Sequence, residues 1–209
     1  MNCLSYILSE LKKKFNGKFI ITKDVKYEVI DKPSLIKKFE LGALRIKSLL
    51  DEKILELPTA INIPNEKVKE KCSEIMRKAN NTFFARREFM HIIDRGEASC
   101  LALSLLLSEK RAENAIVVDE RTTRMLSENP ENLRKLFESK LHTKIELKGD
   151  FYYLKNINFI RSSELAYIAY KKGLIKLKGE NVLDALLYGT KYKGCAISRQ
   201  EIEEAKRLK

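Results

Sequence analysis

Apolar residues recur at two different spacings along the chain and so predict alternating helices and strands. Residues 2–14 carry apolar side chains three and four positions apart, which indicates a short amphipathic helix. Residues 18–22 (KFIIT) form a continuous apolar run that is typical of a buried strand, and 54–57 and 115–118 repeat this pattern. Strands separated by helical stretches predict an α/β fold with parallel strands and helices on both faces.

Capping and breaking residues set the expected ends of the helices. We expect Asp24 to cap the helix that follows the first strand. Pro33 should break that helix, and Ser34 should begin a longer one. Gly173 and Gly194 suit the left-handed position that follows a helix. Further helices are predicted at 65–78, 98–107, 130–141, 162–172, 181–193 and 198–208, and further strands near 145–147 and 158–160.

Chain length limits the number of domains. The 209 residues are 44% hydrophobic and 33% charged, which is enough for one substantial core and a small appendage. We therefore expect one α/β domain over residues 1–160. A helical extension over residues 161–209 should pack on it.

The charge balance is strongly basic. Forty-one Lys and Arg residues against 29 Asp and Glu residues give a formal net charge of +12. A surplus of this size favours polyanionic partners, chiefly nucleic acid. A solvated surface rich in lysine, with no such partner, would have the same net charge. The charge therefore permits RNA binding without requiring it.

Cysteine spacing and hydropathy argue against a zinc-binding, membrane-spanning or secreted protein. The four cysteines show no CxxC spacing and only two histidines are present, which does not form a zinc-binding motif. Isolated thiols suit a reducing cytoplasm. No apolar stretch has the length of a membrane span, and the N-terminus lacks the pattern of a signal peptide. We expect a cytoplasmic protein without membrane contact.

Acidic residues lie at two positions where an α/β fold can bring side chains together. Glu97 falls in the first turn of a helix that opens with Gly96, and Asp119 and Glu120 follow the strand 115–118. In open α/β sheets, ligands bind at the carboxyl ends of the strands. Carboxylates held together repel one another and are tolerated mainly where a divalent cation neutralises them. The pattern therefore fits a Mg²⁺ or Mn²⁺ site.

Glu28 is a third acidic position. At each of the three positions, a purely structural role is an alternative to metal binding. Glu28 shares a helix face with Val25 and Val29, as many surface glutamates do. Glutamate in a first helical turn is favoured by the helix dipole, and an Asp-Glu pair after a strand often caps the next helix. Spacing alone favours these structural roles over a metal site.

An aromatic cluster also has two interpretations. Phe83, Phe84 and Phe89 are flanked by Arg86 and Arg87. RNA bases stack on aromatic rings beside cations, so the cluster fits an RNA contact. We prefer the alternative, in which the phenylalanines are core residues and the arginines lie at the rim.

The stretch from Asp94 to Leu126 resembles the second half of a PIN domain. The motif G-E-A-x-x-L-A-L precedes an apolar strand and Val118-Asp119-Glu120-Arg121, as in the prokaryotic PIN-like branch that carries GEA and a downstream Asp-Asp-Arg segment. Val25-Lys26-Tyr27-Glu28 is similar to the PIN helix that bears a metal-site acid. The tail beginning SSELAYIAYKKGLI resembles the helical ending of this branch. The resemblance spans residues 18–208, but only the GEA and DER motifs are specific.

This resemblance implies a PIN-like three-layer αβα sandwich that acts as a metal-dependent ribonuclease. The implied site residues are Glu28, Glu97, Asp119, Glu120, Arg121 and Arg124. The first three acids would be catalytic and hold one or two Mg²⁺ or Mn²⁺ ions. Glu120 would be either a fourth metal ligand or an acid that does not touch the ion and supports the ligands. The two arginines would contact RNA phosphates, with helix solvation as their alternative role. Because family members include toxins, an antitoxin or a second copy is an expected partner besides RNA.

One part of the PIN pattern has no counterpart here. PIN domains begin with a strand ending in aspartate, whereas this chain passes from Met1-Asn2-Cys3 into its first helix. Three explanations are open: a misassigned start or a truncation, a diverged inactive member, or a strand supplied by another chain. We prefer the first and expect in-frame codons upstream of Met1 for an apolar strand ending in Asp. The alternative function is a catalytically inactive PIN-like RNA-binding or assembly module, and a third is a small-molecule phosphohydrolase.

Overall fold

The computed structural model describes residues 5–208, in which helices predominate. The α-helices are α1 (Ser5–Lys14), α2 (Lys23–Lys26), α3 (Lys32–Ser34), α4 (Lys37–Asp51), α5 (Asn65–Ala79), α6 (Arg95–Glu109), α7 (Arg121–Glu128), α8 (Pro130–Leu141), α9 (Ser162–Lys171), α10 (Val182–Tyr192) and α11 (Arg199–Arg207). The strands are β1 (Phe19–Ile20), β2 (Leu55–Glu56), β3 (Phe83–Ala85), β4 (Glu88–Phe89), β5 (Ile116–Val117), β6 (Glu146–Leu147) and β7 (Phe159–Ile160). A π-helical turn joins α2 to α3 (Tyr27–Asp31), and short 3₁₀ turns follow β2 (Pro58–Ile61) and β6 (Tyr152–Leu154).

The strands form small sheets, and the fold is mixed α/β as predicted. β1 pairs in parallel with β2, with Phe19 opposite Leu55, and β5 pairs in parallel with β7, with Ile116 opposite Phe159. β3 pairs antiparallel with both β4 and β6. Within residues 5–208 no backbone pairing joins the two parallel pairs, so the expected continuous central sheet is not formed there.

The core is built around α6. Ala98, Leu101 and Ala102 are fully buried, and α6 packs along α5, whose stripe of Val68, Cys72, Ile75 and Ala79 faces it. A helix that is apolar on nearly all sides is stable only inside a core. The run of small and branched residues after the GEA motif therefore explains the central position of α6.

The C-terminal helices have a smaller core of their own. It consists of Leu183, Leu187, Cys195, Ile197 and Ile202 from α10, α11 and the segment between them. Ala169 of α9 packs against Ile7 and Leu11 of α1. Gly173, which follows α9, has a φ of +67°, and Gly194, which follows α10, has a φ of +109°, as their predicted roles require. None of the helices within residues 5–208 combines the length and the apolarity needed to cross a membrane.

Arg161 links α9 to α11. Its side chain is only 15% exposed, and its guanidinium donates to Glu201 Oε1 at 2.6 Å and to Glu164 Oε1 at 3.0 Å. It also donates to the carbonyl oxygen of Ala196 at 3.2 Å. A half-buried guanidinium with three acceptors favours one arrangement of these elements, because separating them would break all three contacts.

The cap of the helix after β1 differs from the prediction. Thr22, not Asp24, caps α2, since its Oγ1 accepts the N–H of Val25 at 3.1 Å. Asp24 instead accepts a hydrogen bond from Nε of Arg95 at 2.8 Å and so ties α2 to α6. Thr22 has the extended backbone conformation that an N-cap needs, and it is fixed there by the end of β1.

The expected break at Pro33 is also wrong. The helical path continues through the π-helical turn to Ser34, and the longer helix begins only at Lys37. The N–H of Lys32 bonds to the carbonyl of Tyr27, five residues earlier, so the widened turn lies immediately before Pro33. Proline has no N–H to donate and is tolerated at the first turn of a new helix, here α3.

Candidate acidic site

Glu28 lies in the π-helical turn, and its carboxylate meets the N-terminus of α6. Glu28 Oε1 accepts the N–H of Gly96 at 3.1 Å. A Cβ atom on residue 96 would come within 2.3 Å of Glu28 Oε2, so this approach requires glycine. Single π-helical turns are frequent at functional sites because they redirect side chains. The glycine of the GEA motif therefore has a steric role that the sequence did not reveal.

Glu97 lies beside the same helix start. Its Oε2 accepts the N–H of Asp94 at 2.9 Å and completes a capping box. Burial raises the pKa of Glu97, and the negative charges of Asp94, Glu120 and Glu28 raise it further, against the opposing effect of the backbone hydrogen bond. The charges of Glu28 and Glu120 are thus within electrostatic reach of Glu97.

Asp119 is held by the helix that follows β7. Its two oxygens accept hydrogen bonds from the backbone N–H of Ser162 at 2.8 Å and from the hydroxyl of Ser162 at 2.6 Å. Asp119 therefore caps α9 from the neighbouring parallel strand. Glu120 caps α7, because its Oε1 accepts the N–H of Thr122 at 3.1 Å.

The four predicted acids share one kind of contact. Each accepts a backbone N–H at or beside the start of a helix: α6 for Glu28 and Glu97, α7 for Glu120 and α9 for Asp119. Helix N-termini stabilise negative charge through their unpaired N–H groups and the helix dipole. Structural capping thus accounts for these contacts. Across residues 5–208, no three Asp, Glu, His or Cys side chains converge closely enough to hold an ion.

Three of these acids nevertheless retain an unused oxygen. In the described part of the chain, Glu28 Oε2, Glu97 Oε1 and Glu120 Oε2 accept no hydrogen bond, because the contacts above engage only the other oxygen of each group. Oxygen atoms of this kind are the ligands that Mg²⁺ and Mn²⁺ prefer. Asp119 differs from them, because both of its oxygens accept a hydrogen bond from Ser162 and each keeps only one further lone pair.

The two predicted arginines lie on α7 and differ in their surroundings. Arg121 is exposed, whereas Arg124 is half-buried. Nε of Arg124 is buried and forms no hydrogen bond within the described residues. Neither guanidinium forms an ion pair with the four acids between residues 5 and 208, so both remain able to contact an anionic ligand.

Two groups near the acids were not anticipated from the sequence. The hydroxyls of Thr22 and Ser99 lie 2.6 Å apart, and Ser99 also donates to the carbonyl of Gly96 at 2.7 Å. This pair fixes the start of α6 to the end of β1. The sequence features that mark this pair are a threonine at the end of a predicted strand and a serine three residues after Gly96. Because the two residues lie far apart in the sequence, their spacing does not predict the contact.

The thiol next to the acids is not a nucleophile. Burial raises the pKa of Cys100 to about 12, and the negative charges of Glu28 and Glu97 add to this effect. Burial likewise raises the pKa of Cys72 to about 11. Because a thiol must lose its proton to react, both remain inert at neutral pH.

No protein-family model, curated protein or solved structure matches this chain.

Proposed function

We propose that this protein is a PIN-like, divalent-metal-dependent ribonuclease that hydrolyses RNA phosphodiester bonds. The observation that carries the proposal is the group formed by Glu28, Glu97 and Glu120. The charges of Glu28 and Glu120 both act on Glu97, and each of the three side chains has one oxygen with no hydrogen bond in the described residues. The raised pKa of Glu97 means that a cation at this position would be favourable.

The proposed ligands are Glu28, Glu97 and Asp119, with Glu120 as the fourth. A bound Mg²⁺ or Mn²⁺ would supply an activated water and neutralise charge on the phosphoryl oxygens. Each oxygen of Asp119 accepts one hydrogen bond from Ser162, and its second lone pair would bind the ion. Each carboxylate is held in position by the backbone N–H from which it accepts a hydrogen bond. This limits how far the side chains must move when a metal ion binds.

The basic residues would hold the RNA. Arg121 and Arg124 are proposed to contact phosphates beside the acids, and the unpaired Nε of Arg124 supports this role. The formal net charge of +12 favours a polyanionic substrate over a small neutral one. The parallel strand pairs and the buried α6 support the assignment to a PIN-like sandwich.

A non-catalytic PIN-like RNA-binding or assembly module is the second candidate. The contact that favours it is the double hydrogen bond from Ser162 to Asp119, which assigns this acid to a structural cap. A protein partner, either an antitoxin or a second copy, is also proposed. Exposed apolar side chains at Leu35, Phe39, Leu41 and Leu44 would suit such a contact.

Dependence on metal separates the two candidates. Purified protein should cleave labelled single-stranded RNA when Mn²⁺ or Mg²⁺ is added, and EDTA should abolish cleavage. The binding module would instead retain RNA in EDTA without cleaving it, and its affinity would fall with rising salt. Cleavage that is indifferent to EDTA would exclude the metal mechanism.

Replacement of Gly96 with Ala should weaken metal binding while leaving the fold intact. The new Cβ would displace the Glu28 carboxylate, which is the flexible end of a side chain, so we expect the free energy of unfolding to change by less than about 1 kcal/mol. Mn²⁺ raises the melting temperature of any protein that binds it only when folded, and this rise should be smaller in Gly96→Ala.

The matched control is Gly189→Ala in α10, where an added Cβ meets no atom within 4 Å. This variant should gain about 0.5–1 kcal/mol from helix propensity and keep the full Mn²⁺ response. An equal Mn²⁺ response in Gly96→Ala and wild type would show that Glu28 is not a ligand.

A further inference from the structure

The outward face of the sheet formed by β3, β4 and β6 carries aromatic rings beside a cation. Phe84 and Phe89 are cross-strand partners on this face, with ring centroids 5.1 Å apart. Nζ of Lys148 lies 3.4 Å from the Phe84 centroid and 5.7 Å from the Phe89 centroid. Phe83 points the other way and is fully buried, so only this member of the cluster has the core role preferred from the sequence.

The tip of the β3–β4 hairpin has an unfavourable backbone conformation. Arg86 and Arg87 have φ values of +51° and +72°. Two-residue turns of this kind favour Asn and Gly, because side chains with a Cβ rarely adopt positive φ. Arg86 is anchored through its guanidinium to Thr143 Oγ1 at 3.1 Å and to the carbonyl of Leu141 at 3.0 Å.

Arg87 has no such anchor. Its side chain is exposed and forms no hydrogen bond or ion pair within residues 5–208. A strained position that gains nothing from contacts inside the protein is a candidate for a role toward a ligand. Together, Arg87, Phe89, Phe84 and Lys148 form what we call the hairpin surface.

We infer that the hairpin surface binds an unpaired stretch of RNA, with a base stacked on Phe89 and phosphates contacting Arg87 and Lys148. Aromatic rings stack on any base, and adjacent cations neutralise the backbone, which is the chemistry of single-strand binding. Glu146 shares this face and forms a long ion pair with Lys148 at 3.9 Å, so a phosphate would compete with this half-exposed carboxylate for the lysine. The inference rests on the proposed function only for the choice of RNA over DNA.

Binding should be measured by fluorescence anisotropy in EDTA, so that cleavage plays no part. The probes are labelled oligouridylate and oligothymidylate of about twelve nucleotides, which is within the length that one such surface covers. The wild type should bind oligouridylate at least as tightly as oligothymidylate. Tighter binding of oligothymidylate, or binding of neither probe, would overturn the inference.

Arg87→Gly should have opposite effects on stability and affinity. Relief of the positive φ should raise the melting temperature by about 3 °C, whereas loss of a phosphate contact should raise Kd about fivefold and reduce the salt slope by about 1. The matched control is Arg111→Gly, an exposed arginine with a φ of +56° that follows α6. It loses the same charge and relieves similar strain, but it should keep wild-type affinity.

Phe89→Ala tests the stacking contact. Phe89 is 46% exposed, so its removal should leave stability nearly unchanged and raise Kd about tenfold. The control is Phe15→Ala after α1, where the side chain is 53% exposed and its ring centroid lies 5.4 Å from that of Phe19. Equal losses of affinity in the test and control variants would show that binding is non-specific and would refute the hairpin surface.

These outcomes are separable from those of the proposed function. A protein that binds oligouridylate through Arg87 and Phe89 but never cleaves it would support the hairpin surface and refute the nuclease. Metal-dependent cleavage that both substitutions leave unaffected, with unchanged Kd, would support the nuclease and refute the hairpin surface.

Discussion

Replacement of Glu97 with Gln is expected to lower Mn²⁺-dependent RNA cleavage by at least about a hundredfold. Glu97 has the most perturbed environment of the four acids, since burial and three neighbouring carboxylates raise its pKa. Its Oε1 is the atom proposed to face the ion, and glutamine presents an amide NH₂ group there when its single oxygen keeps the Asp94 hydrogen bond, so it cannot coordinate a cation. Initial rates on a labelled RNA at saturating Mn²⁺ measure the effect.

The same variant should fold normally, because the Gln side-chain oxygen can still accept the N–H of Asp94. A raised pKa means that ionised Glu97 opposes folding once the pH exceeds its ordinary value of 4.5, and the full opposition is present above the raised folded value. Urea unfolding in EDTA should therefore show Glu97→Gln to be at least as stable as wild type at pH 7. Any gain should disappear near pH 4.

Glu131→Gln is the control for activity, because Glu131 also lies in the first turn of a helix, α8, where it pairs with Arg134. It should retain wild-type cleavage. Full activity in Glu97→Gln would remove Glu97 from the site and with it the metal-dependent mechanism proposed here.

Replacement of Arg161 with Met is expected to lower the free energy of unfolding by about 1–2 kcal/mol. Methionine fills part of the volume but leaves the carboxylates of Glu164 and Glu201 without the guanidinium that now contacts both. The carbonyl of Ala196 also loses its donor. Urea unfolding followed by circular dichroism measures the loss, which should be concentrated in the helices α9 to α11.

The pH dependence of this loss identifies its origin. Burial opposes ionisation of Glu201, but hydrogen bonds from Ser198 and Arg161 outweigh it and lower the pKa of Glu201 to about 2. A lowered pKa stabilises the fold above the ordinary value of 4.5, and this contribution is lost as the pH falls towards 2. The difference between wild type and Arg161→Met should therefore shrink over that interval.

Arg199→Met is the matched control, since Arg199 is exposed at the start of α11. It should change the free energy of unfolding by less than about 0.5 kcal/mol. A loss of similar size in both variants would mean that the Arg161 network contributes little and that general charge accounts for the effect.

The positions of most helices and strands were predictable from local pattern. The helix 130–141 was predicted with its observed bounds, because Pro130 supplies a first-turn residue and the apolar spacing runs to Leu141. The parallel strands lie inside the predicted runs, although each extends over two residues only. Local pattern failed at Asp24 and Pro33, where a hydroxyl fixed by the end of β1 and a π-helical turn changed the expected boundaries.

The sequence selected the acids, but their joint role as a site stays a prediction. Sequence spacing selected Glu28, Glu97 and Glu120, and the charges of Glu28 and Glu120 contribute to the raised pKa of Glu97. It also selected Asp119 but not its partner Ser162, which lies 43 residues further along the chain. The glycine that admits Glu28 to the start of α6 lies 68 residues from it, and no local pattern links the two.

The sequence by itself determined where the chain is helical or extended and which face of each element is apolar, because these properties depend on neighbours within a few positions. Only the tertiary structure decided which element covers each face. It left Phe89 exposed while burying Phe83, and it assigned the oxygens of Asp119 to Ser162. Hydrogen bonding and burial of this kind depend on contacts between distant segments, which periodicity does not specify.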